Sequence, residues 1–239
     1  MARDFDRAFL NQLTLVDWKE IIERFQAKVT DSVIEVAVSR FPAVIYDIDG
    51  KTITRKLKKR RDLMMREGLK YYHFLSRYVN IVGSNKREYF RISNDPDGRL
   101  KVAVYERRND MDTAYRLYQR TFDHKDTKEL RLYGLNGNDL FVADENVRSR
   151  IKIRIIGGRG NDTFDIKSNA PTILYDIDTA ANHVVNKNHT RVRFSPQPDV
   201  NDFDWVENEY TIVRYPRYRI AYKNAGTHAY IAGAAYRRR

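Results

Sequence analysis

A repeat constrains this chain more than any other feature. Residues 130–142 read LRLYGLNGNDLFV and residues 153–165 read IRIIGGRGNDTFD, an offset of 23 at which Arg, two turn glycines, Asn, Asp and Phe coincide. A worn third copy starts at Val79 (VNIVGSNKREYFRI), where Gly83, Glu88 and Phe90 stand where Gly157, Asp162 and Phe164 do. Units of this kind bury their apolar residues against one another and stack or pair into a compact β-layer. Within a copy, Ile153 and Ile155 fall on one strand face, and the turn calls for positive φ at Gly157 or Gly160. Asp162 is placed to bond nearby main-chain N–H groups as an Asx turn before Phe164 and Ile166 return to the core. A structural role accounts for all of these positions.

The same residues have a second reading, as a calcium motif. Gly157 to Phe164 fits GGxGxDxUx, the repeat of calcium-binding β-rolls, and Gly134 to Phe141 fits it with Leu135 in place of the second glycine. A hard cation takes six to eight oxygens, which β-rolls supply from tandem nine-residue repeats. Copies 23 and 51 residues apart predict an incomplete cage. The candidate ligands are Asp139, Asp162 and Asp165, and calcium is the one cofactor the sequence suggests.

Hydrophobic periodicity divides the chain into an α+β arrangement. Residues 1–77 read as a helical subdomain. Thr14 with Asp17 and then Thr30 supply start signals, and Pro42 a stop, while Ile53, Leu57, Met64, Tyr71, Leu75 and Tyr78 share a stripe that leaves Lys56, Lys59 and Arg60 outside. Asp49-Gly50 reads as a turn before that last helix, and Gly68 as a division within it. From Tyr78 the period becomes two, so residues 78–199 read as a β-rich repeat domain, with Arg99 to Arg107 and Thr113 to Phe122 as an antiparallel pair. Residues 200–239 form a Tyr/Arg-rich lead-in, in which Tyr230, Ala232, Ala234 and Tyr236 share one strand face of the sort that opens an outer-membrane barrel.

Charge is concentrated. The net +12 comes from Lys51 to Arg61 and Thr211 to Arg239, each with seven basic and no acidic residues, so the remainder is close to neutral. The absence of cysteine excludes a disulfide scaffold, a thiolate zinc site and a cysteine nucleophile. The five histidines show no HExxH or zinc-finger spacing, and no phosphate loop or GxSxG elbow is present. No apolar run reaches the roughly 20 residues of a membrane helix. The first residues lack the apolar region of a signal peptide, so the expectation is a protein that stays inside the cell or a segment of a longer chain.

Two further motifs carry alternatives. Ala43 to Thr52 (AVIYDIDGKT) looks like the first motif of haloacid-dehalogenase-type phosphatases, which would make Asp47 the nucleophile and Asp49 the acid/base. Lys51 stands where that family has Thr, Gly158 replaces an acidic residue of its later element, and the intervening chain alternates as β. The run RKLKKRR with Tyr71, Tyr72 and Phe74 has the makings of a nucleic-acid surface, but those aromatics belong to the apolar stripe. A solvated helix face, or one docked on acidic protein or lipid headgroups, is the plainer reading.

The order of features resembles a family of large Gram-negative outer-membrane proteins, of metallophosphatase or surface-antigen type, in which soluble domains precede a C-terminal β-barrel. The matching stretches are ARDFDRAFLNQLTLVDW (2–18), LKKRRDLM (57–64), RTFDHKDTKELRLYGLNGNDLF (120–141) and IRIIGGRGNDTF (153–164). The resemblance implies a non-catalytic connector in the cell envelope, associated with the outer membrane, whose partners are flanking domains and, through a downstream barrel, the membrane. The metal-holding signatures DxH, GDxxD, GNHE and GHxH are absent, so no catalytic residue carries over.

Overall fold

The structure is a computed structural model that describes residues 6–196 except 8, 109–112 and 114. The expected barrel-strand face at Tyr230 to Tyr236 lies outside the described residues. The described residues form two compact units, Gln12–Arg77 and the remainder. It has the α+β class that the change of period implies, helices first and strands after.

The smaller unit contains α1 (Leu15–Lys28), α2 (Asp31–Ser39) and α3 (Lys51–Ser76). Thr14 and Asp17 form a complete capping box, with the Thr14 N–H donating to Asp17 Oδ2 at 2.7 Å, and Thr30 Oγ1 accepts from the Val33 N–H. Two sequence expectations fail here. A helical turn (Ala43–Ile45) and a π-helical turn (Tyr46–Gly50) run directly into α3, so Gly50 is helical (φ −51°, ψ −49°) and starts nothing. Gly68 does not divide α3. Both glycines serve close packing: a Cβ on Gly50 would stand 2.7 Å from the Tyr46 ring, and one on Gly68 would stand 2.7 Å from Ile22 Cδ1.

The larger unit is a parallel two-sheet solenoid. One sheet has the order β1 (Tyr78–Val82), β5 (Glu129–Asn136), β7 (Lys152–Arg159), β9 (Thr172–Ile177), β11 (Thr190–Ser195), all parallel. The other places β2 (Glu88–Asn94), β6 (Leu140–Ala143), β8 (Thr163–Ile166) and β10 (His183–Lys187) in parallel. There β3 (Leu100–Glu106) and β4 (Arg116–Phe122) extend the β2 edge as the expected antiparallel pair. Each repeat copy is thus one coil: a strand in the first sheet, the GxxGND turn, then a strand in the second. The 51-residue offset arises because the β3–β4 excursion interrupts the first coil.

Identical places in successive coils meet in register and build the core. Ile81, Leu132, Ile155, Leu174 and Val192 form one column, and Phe90, Phe141, Phe164 and Val184 face them from the other sheet. The three phenylalanine rings are fully buried and stacked, at 4.5 Å and 5.3 Å between centroids. Such parallel stacking of like residues is what a fixed period delivers.

Candidate functional site

The GxxGND turns lie above one another along one edge of the solenoid. Leu135 pairs with Gly158 and Asn136 with Arg159, and the Gly137 N–H donates to the Arg159 carbonyl at 2.9 Å. The turns at 134–139 and 157–162 are therefore direct neighbours. A separation of 23 residues, which in sequence argues for an incomplete cage, is the length of one coil.

Asn and Asp of each turn stitch in opposite directions. Asn138 Oδ1 accepts the N–H of Asn161 in the following coil (2.9 Å), and Asn161 Oδ1 accepts that of Ala181 (3.0 Å). Asp139 Oδ1 accepts the N–H of Glu88 in the preceding coil (2.7 Å), Asp162 Oδ1 accepts that of Asp139 (2.7 Å), and Asn182 Oδ1 accepts that of Asp162 (2.8 Å). The sequence expectation of a local Asx turn at Asp162 is thus replaced by a bond between coils. The stitches to Glu88, Asp139 and Asp162 satisfy donors of buried residues that the turns would otherwise leave unpaired, whereas those from Asn138 and Asn161 lie at the exposed rim.

The second carboxylate oxygens are the chemically unusual part of this row. Asp139 and Asp162 are 1% exposed and Asp176 is 0%, and Oδ2 of each has no hydrogen-bond donor. They point into space left by the first turn glycines. A Cβ on Gly134 would stand 2.4 Å from Asp139 Oδ2, and one on Gly157 would stand 2.3 Å from Asp176 Oδ2 and 2.5 Å from Asp162 Oδ2. Gly157 is required for this close approach and not for positive φ, which in its turn belongs to Gly158 (+109°) and Gly160 (+139°). Gly134, Gly157 and Asp176 occupy equivalent places, one after Tyr133, Ile156 and Tyr175, so the last coil puts a carboxylate where the earlier ones have glycine.

Burial pushes all three acids up: Asp139 to about 9, helped by the charges of Asp162 and Glu88; Asp176 to about 8, helped by Asp162; and Asp162 to about 6. Glu88, at the start of the row, is also raised by burial against the bonds from Ser84. Among the described residues, no three His, Cys, Asp or Glu side chains group to hold a metal by themselves. The carboxylates follow the coil axis, rung by rung.

Of the sequence candidates, Asp139 and Asp162 belong to this row and Asp165 does not. Asp165 projects from β8, accepts from Asn186 Nδ2 at 2.7 Å and pairs with Lys167 Nζ at 3.1 Å. Its side of the strand is opposite to that of Phe164, as the period of two requires. Asp176 was not among the candidates. Its coil reads YDIDTAAN, without a turn glycine, and only counting one coil onward from Gly157 would have marked it.

The other motifs separate from any centre. Asp47 and Asp49 are exposed on a π-helical turn, whereas a phosphatase nucleophile of that type stands at the end of a strand. Within the basic run, Lys58 pairs with Asp31 (3.0 Å) and Glu35 (2.6 Å), and Arg61 with Asp31 (2.8 Å), while Lys56, Lys59 and Arg60 are exposed. No family model matches the sequence, and comparisons with curated proteins and with solved structures give no match.

Proposed function

We propose that this chain is a non-catalytic structural connector in a Gram-negative outer-membrane protein, carrying the polypeptide from a soluble module, of metallophosphatase type in the family it resembles, toward a β-barrel. The observation that supports this reading is the strand order of the first sheet, β1-β5-β7-β9-β11, which advances in chain order, each strand joined to the next by a crossover through the second sheet. The polypeptide enters at one edge and reaches β11 four strand spacings away, about 19 Å at roughly 4.8 Å each. A one-way solenoid is a spacer of defined length with a shared core, and its repeat motif is occupied in stitching coil to coil. The partners are flanking domains of a longer chain, and the exposed cations of α3 suit acidic protein surfaces or lipid headgroups.

The test is fractionation of the intact gene product from a Gram-negative host. Recovery in the outer membrane, extracted by detergent and not by high salt, is expected. Recovery only in the soluble fraction would overturn the connector reading.

A further inference from the structure

The unpartnered carboxylate oxygens imply an occupant. An acid held 0–1% exposed with one oxygen lacking any donor is costly as an anion, and this row places three such oxygens on neighbouring rungs. Asp162 Oδ2 and Asp176 Oδ2 both lie beside the Gly157 Cα, less than about 5 Å apart, and the two carboxyl groups face each other closely enough to share a hydrogen bond when one is protonated, so a cation entering between them would meet both. One rung away, Asp139 Oδ2 and the Gly157 carbonyl oxygen both lie beside the Gly134 Cα, likewise less than about 5 Å apart. Oxygen is the only ligand type offered, which selects a hard cation. The turn residues Asn136, Asn138, Arg159 and Asn161, adjacent in sequence to the row, are exposed.

We propose that the turn edge binds a calcium ion between the second, third and fourth coils, with Asp162 and Asp176 as carboxylate ligands and Asp139 with main-chain oxygens, including the Gly157 carbonyl, on the adjoining rung. Side chains alone do not complete the shell, and main-chain carbonyls and water fill it, as calcium accepts. The ion neutralises the row and ties three coils together, so it acts on stability. The site is independent of the connector reading, since a calcium-stabilised solenoid is equally compatible with a soluble protein.

The experiment is thermal unfolding of the 239-residue chain in EDTA and in millimolar calcium, with calorimetric titration of calcium. Calcium is expected to raise the melting temperature by roughly 3–6 °C, with dissociation constants on the order of 0.1–1 mM. Asp165→Asn should keep the shift, because Asp165 lies outside the row, and Asp176→Asn should lose it. No shift and no binding heat in the parent chain would overturn the proposal and leave protons as the only neutralising agents. A full shift in Asp176→Asn, or an equal one with magnesium, would overturn it as well. Should Asp176→Asn fail to fold, the parent titration decides alone: absence of saturable binding rejects the site.

Discussion

Asp162 Oδ1 accepts the main-chain N–H of Asp139 at 2.7 Å across 23 residues of chain. This one bond joins two turns, satisfies a buried donor and aims the other oxygen of Asp162 at Asp176. The repeat therefore encodes contacts between copies and not within them, which explains why Asn and Asp stand side by side in each turn. One reaches forward and the other back.

Removing the backward stitch should be costly. Asp162→Ala leaves the Asp139 N–H buried without an acceptor, and destabilisation of about 1–3 kcal/mol is expected in urea unfolding. Asp162→Asn keeps the acceptor and can turn its amide toward Asp176, so its loss in EDTA should be much smaller. Equal losses in the two variants would show that the bond is not what matters at this position.

The turn glycines should separate by mechanism. Gly157→Ala puts a methyl group 2.3 Å from Asp176 Oδ2 and 2.5 Å from Asp162 Oδ2, and a loss of roughly 2–3 kcal/mol is expected. Gly98→Ala meets open space and bears only the strain of φ +77°, about 1 kcal/mol. Combining Gly157→Ala with Asp176→Ala should recover part of the first loss. Additive losses in that double variant would remove the steric explanation.

The strands of the repeat were legible because Ile153, Ile155, Phe164 and Ile166 alternate, and the phenylalanine column because Phe90, Phe141 and Phe164 hold equivalent places. The stacking of the turns was not. A sequence shows the 23-residue offset but not that one coil uses 23 residues, and the β3–β4 excursion disguises the first coil with an offset of 51. Asp176 is not legible in the sequence because it occupies a glycine position in a coil whose turn has no glycine. The uninterrupted path through Gly50 was hidden for a related reason: glycine after aspartate reads as a turn, whereas here its missing side chain makes room for the Tyr46 ring.

Phe141 should be the most sensitive apolar position of the repeat. It lies between Phe90 and Phe164, fully buried, and adjoins both rings at stacking distance. Phe141→Ala should cost about 3–5 kcal/mol and Phe141→Leu distinctly less, measured by denaturant unfolding of the whole chain. A loss for Phe141→Ala no greater than for an exposed residue such as Val185→Ala would contradict the shared core.

Without a cation, stability should fall as pH rises through the neutral range. In the unfolded chain these aspartates release their protons near pH 3.9. In the fold, burial raises Asp162 to about 6, Asp176 to about 8 and Asp139 to about 9, so the folded form keeps protons that the unfolded form has lost. Stability from these groups is complete below the unfolded value and is lost as pH passes successively through the folded ones. The melting temperature in EDTA should therefore decline from about pH 6 to 9, a window in which ordinary carboxylates no longer titrate. Asp139→Asn combined with Asp176→Asn should flatten the decline, because an amide has no proton to lose. Calcium should have its largest effect at the alkaline end, where it need displace the fewest protons. A melting temperature that rises across this window in EDTA would mean that the row is ionised in the fold and balanced by some other charge.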